Sequence, residues 1–142
     1  MHVSADHFHF DQKSGIGVYT GGVRVQQNSL TIVGERLTVV APPNAPVERL
    51  SMEGTPARFS DVTPKGRKVD GHAAHMRYLP ASQQVHLDGA AELTEGANTF
   101  SSAHIVYDTK TGVVTAGTPG TRVEATLVPG KQTAPATGKP AP

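Results

Sequence analysis

A six-position signature recurs four times along the chain: a small residue, two variable positions, a hydrophobe, one variable position and a second hydrophobe. It occurs as Ala5/Phe8/Phe10, Gly34/Leu37/Val39, Ala73/Met76/Tyr78 and Ser102/Ile105/Tyr107. Apolar residues precede the small one at even spacing, at Val3, Ile32, Val69 or Gly71, and Phe100. The apolar parity therefore flips just after each small residue. In a strand such a flip demands an extra residue, which means a bulge or a corner. Gly, Ala or Ser there lets the backbone bend without a large side chain intruding. A second series follows the alternating strands, at Gly21, Gly54, Gly89 and Gly117, spaced by 33, 35 and 28 residues. Two positions before these glycines stand Tyr19, Met52, Leu87 and Thr115. Together the two series predict four stacked copies of a strand–corner–strand–hairpin–strand unit, building an elongated, antiparallel, two-walled structure. An ordinary β-sandwich with similar hairpins is the plainer alternative.

The rest of the chain agrees with an all-β reading. Val23-Arg24-Val25, Leu30-Thr31-Ile32, Leu37-Thr38-Val39 and Val85-His86-Leu87 alternate with the period of half-buried strands. Ala73 to Leu79 is the one stretch resembling a helix, and Pro80 ends it within two turns. Ala41–Pro46 and Ser60–Lys68 read as loops. Hydrophobic residues make up only 37% of the 142 positions, while Gly and Pro contribute 15 and 11, a profile of short strands and many turns. One domain spanning residues 1–128 is expected. Residues 129–142, PGKQTAPATGKPAP, hold no hydrophobe larger than Ala and read as a disordered tail.

Charge and special residues exclude several functions. A net charge of +1 provides no field for nucleic acid. The absence of Cys removes disulfides, thiol nucleophiles and Cys-based zinc sites. No apolar run reaches the roughly 18 residues of a membrane-spanning helix. Met1-His2-Val3 leads straight into patterned sequence, so no leader is evident and the chain reads as cytoplasmic or as a mature exported form. His7 and His9 alternate with Phe8 and Phe10 and are expected to face solvent; His72 and His75 straddle a corner. Neither pair has a neighbouring Cys or carboxylate in an evident arrangement, so no metal site is expected. Gly15-Ile16-Gly17 lacks the following helix of a phosphate loop, and no nucleophile elbow or paired carboxylates occur, so no enzyme is expected. The basic loop Lys65, Arg67, Lys68 reads as a solvated hairpin tip or as a contact for anionic headgroup phosphates.

One face of the repeat is persistently apolar: Val25, Ile32, Leu37, Val39, Met52, Phe59, Met76, Tyr78, Leu87, Leu93, Ile105 and Tyr107, with Phe8 and Phe10 at the first rung. Such a stripe is either a closed core or a binding surface.

The strings VSADHFHFD, VYTGGVRVQQNSLTIVGERLTVV, VDGHAAHMRY and LDGAAELTE resemble the OstA-like repeat. The ending TRVEATLVPGKQ resembles the C-terminus of the periplasmic lipopolysaccharide transport proteins of that family. The resemblance implies a slightly twisted β-jellyroll of about 16 antiparallel strands, open along one side, without catalytic residues or cofactors. It implies that the apolar face lines a groove for the acyl chains of lipid A, with Phe59 and Tyr78 in contact and Met1 and Val3 near the entrance. Where the family often has Leu, this chain has Pro80. The implied partners are lipopolysaccharide, an LptC-like jellyroll at the N-terminal edge, an LptD-like N-terminal jellyroll at the C-terminal edge, and further copies stacked head to tail. The docking edges would be the first strand, about Val3–Asp11, and the last, about Arg122–Val128.

Overall fold

The computed structural model describes residues 1–117 and 122–127. Its strands are β1 (His2–Ser4), β2 (His7–Asp11), β3 (Ile16–Gln27), β4 (Leu30–Val40), β5 (Arg49–Val62), β6 (Lys68–Leu79), β7 (Gln84–Glu95), β8 (Asn98–Asp108), β9 (Val114–Ala116) and β10 (Val123–Thr126). Order in space follows order in sequence: β3 to β8 are successive neighbours. β1 and β2 lie end to end along β3, and β9 and β10 lie end to end along β8. All these pairings are antiparallel, as short turns between consecutive strands require. Asn28-Ser29 and Gly96-Ala97 form two-residue connections of this kind.

The long strands are not straight ladders. Register shifts fall between Thr20 and Val23, Val33 and Arg36, Glu53 and Ala57, His72 and His75, and Asp88 and Ala91. These positions are neighbours across the sheet, so the interruptions line up into one corner at which the sheet folds into two walls. The four-residue path of β3, from Tyr19 to Val23, lies beside the three-residue path of β4, from Gly34 to Leu37. The same contrast separates β7 (Leu87 to Ala91) from β8 (Ser102 to Ile105). In β5 the path is longer still, from Met52 to Ala57, and holds the cis Thr55–Pro56 bond.

The two sequence signatures are therefore the short and long sides of one bend. Small residues occupy the short side. On the long side Gly21, Gly89 and Gly117 adopt φ of 84°, 87° and 88°, a region that glycine enters without steric cost. The fourth copy departs from the pattern, because Ala116 rather than Thr115 pairs with Ile105.

About 16 strands are expected from the resemblance, and ten are present among the described residues. The difference arises because β3 to β8 each continue through the corner, giving every wall eight straight segments. The expected loop at Ser60–Lys68 is also shorter, since β5 runs to Val62 and β6 begins at Lys68. Ala73–Leu79 is strand throughout. The expected tail, 129–142, and Val128 of the expected last strand lie outside the described residues.

The core lies between the walls. Phe59 of one wall stacks on Tyr107 of the other, with ring centroids 5.5 Å apart. Gly71 leaves room for this packing: a Cβ there would run into the Phe59 ring and come within 3.0 Å of Leu87 Cδ2. Each large aliphatic side chain buried between the walls contributes about 1.5–3 kcal/mol.

Candidate functional site

Cross-strand pairing arranges the apolar face into three continuous rows. The first runs Phe8, Tyr19, Leu37, Met52, Met76, Leu87, Ile105 and Ala116, each opposite the next on the neighbouring strand. The second, nearer the rim of the same wall, includes Phe10, Val39, Leu50, Tyr78, Val85 and Tyr107. The third crosses the other wall through Val3, Val25, Ile32, Phe59, Gly71, Leu93 and Phe100. All fifteen residues expected to line the face fall on these rows. Tyr19, Leu50 and Val85 belong with them and were not among the expected lining; Leu50 and Val85 stand two positions from Met52 and Leu87, so strand alternation alone marks them.

Exposure varies along the rows. Phe8 and Phe10 are 51% and 45% exposed, and Val3 and Val39 are half-buried. The other eleven expected residues, Val25, Ile32, Leu37, Met52, Phe59, Met76, Tyr78, Leu87, Leu93, Ile105 and Tyr107, are buried, none more than 4% exposed. The interior is thus packed shut at mid-length and bare at its N-terminal end. There Phe8 stacks on Tyr19 at 4.4 Å between centroids, and Phe8 and Phe10 lean over Gly17. Charged substitutions at Ile32, Phe59 or Tyr78 would bury a charge within the core, so they disrupt the fold as well as any ligand contact.

The rims opposite the corner also meet. The turn at Gly112 packs against Thr63 and Pro64, a Cβ at Gly112 lying 3.3 Å from Thr63 Cβ. Tyr107 donates from its hydroxyl to Asp61 Oδ2 at 2.8 Å, and Ser29 Oγ donates to the other carboxylate oxygen. Burial, and next the bond to Asp61, push the Tyr107 hydroxyl far above the ordinary tyrosine range. The side expected to be open is bridged here by polar contacts. Sequence pattern gave no sign of Asp61, which lay within the expected loop.

The LptA/(LptD N-terminal domain) LPS transport protein family matches residues 2–113. The chain belongs to this family. The lipopolysaccharide export system protein LptH of Pseudomonas aeruginosa is 28% identical over 141 residues, covering 93% of this chain and 81% of that protein. LptA of Escherichia coli K12 is 30% identical over 131 residues, covering 91% and 71%. A crystal structure of P. aeruginosa LptH, described as the LptA-homologous periplasmic component of a lipopolysaccharide transport device, superposes with a TM-score of 0.81 at 28% identity, covering 90% of this chain and 94% of that one. The chain is a homologue of LptA and LptH, with the open antiparallel β architecture of that solved structure.

On the outer surface of this LptA-type sheet, His72 and His75 do have carboxylate neighbours, contrary to expectation, and so does His104. His72 Nε2 lies 2.9 Å from Glu92, His75 Nδ1 lies 3.8 Å from Glu53, and His104 Nδ1 bonds Asp88. The partners come from adjacent strands, where linear spacing does not reveal them. Among the described residues no group of three or more His, Cys, Asp or Glu converges to hold a metal ion. His7 and His9 are exposed.

Proposed function

We propose that this chain binds lipopolysaccharide by its acyl chains along the apolar interior and carries it across the periplasm, from an inner-membrane complex to an outer-membrane translocon. The observation that carries the reading is the set of unbroken apolar rows running from β1/β2 to β9/β10, with aromatic rings uncovered where they begin. Membership of a lipopolysaccharide transport family supports it. Chain interactions with lipid tails need no reacting group, and each buried methylene is worth about 0.8 kcal/mol. On this reading the fold works as a jellyroll of eight-segment walls, and Val3, Phe8 and Phe10 receive the lipid. An LptC-like jellyroll pairs with the β1/β2 edge, an LptD-like N-terminal jellyroll pairs with the β9/β10 edge, and copies stack head to tail through the same edges. No catalytic step is involved.

A second reading, a structural repeat protein with a filled core and no lipid ligand, is favoured by the sealed mid-length of the rows. Photo-crosslinking residues placed in turn at Phe8, Phe10, Val39 and Tyr78 separate the two. Capture of lipopolysaccharide at these positions but not at outward-facing Thr38 supports transport. Capture at none of them leaves the filled core.

A further inference from the structure

The two walls are continuous through the corner, but among the described residues no backbone hydrogen bond joins their rims. Side chains span the gap instead. Asp61 is 4% exposed and lies within ion-pair distance of no described cation; its carboxylate is held by the hydroxyls of Tyr107 and Ser29. A cavity of about 130 Å³ adjoins it, lined by Ser29 and Leu30 from one wall and Tyr78, Gln83, Thr109 and Lys110 from the other. That volume accommodates water.

These observations set the cost of parting the walls. At the apolar rows, separation exposes hydrocarbon to water with nothing in return. At Asp61, separation restores hydration to a carboxylate that folding removed from water with no described cation within ion-pair distance, which offsets the hydroxyl bonds it loses. The seam is therefore the line along which the interior opens most readily. We propose that Asp61, Tyr107 and Ser29 form a releasable latch across the two rims, and that acyl chains enter the interior sideways by parting it and settling against Phe59 and Tyr78. This inference rests on the lipid-binding reading above and adds the route of entry.

The chain has no cysteine, so the seam can be locked selectively. Thr63→Cys with Gly112→Cys joins the rims, whose Cβ positions suit a disulfide after slight adjustment. Thr94→Cys with Thr99→Cys joins paired residues within one wall and serves as the control. With purified lipopolysaccharide in detergent-free buffer, oxidised T63C/G112C is expected to take up lipid at least tenfold more slowly than its reduced form, while the control is unaffected by oxidation. Because Gly112 has a φ of 79°, a variant that leaves the backbone alone provides a second arm. Ser29→Ala, exposed and outside the apolar rows, removes one latch bond and is expected to speed uptake severalfold with the bound amount unchanged. Equal uptake by the oxidised and reduced seam variants, or uptake in S29A no faster than in the wild type, overturns the latch while leaving lipid binding intact. No binding to the wild-type protein overturns the lipid-binding reading and the latch with it.

Discussion

Tyr107 joins the walls twice, through its ring on Phe59 and its hydroxyl on Asp61. Removing that hydroxyl leaves a buried carboxylate short of a donor, so Tyr107→Phe is expected to lower stability by about 1–3 kcal/mol in urea unfolding. Leu87→Ala, which leaves a hole among fully buried neighbours, is expected to cost about 2–5 kcal/mol in the same measurement. His86 gives a pH-dependent case. Burial lowers its pKa first, then the charges of Arg77 and His104 lower it further, while Asp88 acts in the opposite direction; its Nδ1 is buried with no hydrogen-bond partner among the described residues. The unfolded chain therefore takes up a proton here before the folded one does, and stability falls as pH drops through the unfolded value near 6.5. Melting temperatures from pH 7.5 to 5 should fall less steeply for His86→Gln than for the wild type. Side chains of the apolar rows were legible in the sequence because alternation sets which way they face. The Asp61–Tyr107 pair was not, since its partners are 46 residues apart and on different walls.

For strands, the corner is the decisive feature. Its small residues were readable as a parity flip, and its glycines as a spaced series. That the two series belong to the same bend was not readable, because it depends on which strand lies beside which. Nor did the sequence pattern reveal that β5 takes a longer path than β3 and β7. Gly89 is where the bend can be tested: an added Cβ would be held at φ 87° and 3.0 Å from Ala74 Cβ. Gly89→Ala is expected to destabilise by about 1–2 kcal/mol from the left-handed conformation alone. Ala at exposed Gly96, which has open space around it but φ 61°, should show the conformational cost without the contact, so the difference in unfolding midpoint isolates crowding at the corner.

Across the described apolar rows, exposure grades from a sealed centre to a bare N-terminal end. At the N-terminal end Phe8 and Phe10 already stand in water, so Phe8→Lys with Phe10→Lys is expected to leave the melting temperature within a few degrees while reducing head-to-tail association in light scattering. The same charge at Ile32 is expected to unfold the protein. The sequential order of β3 to β8 has a further consequence. Because each wall segment is specified by its immediate neighbours and the path repeats every two strands, the molecule has no fixed length. Duplicating the β6–β7 hairpin would preserve the up-and-down order and the alternation of short and long bends. It would lengthen the interior by about 9–10 Å, two strand spacings, visible as a longer maximum dimension in small-angle scattering. Reach, in such a protein, is a quantity that evolution can set by counting hairpins.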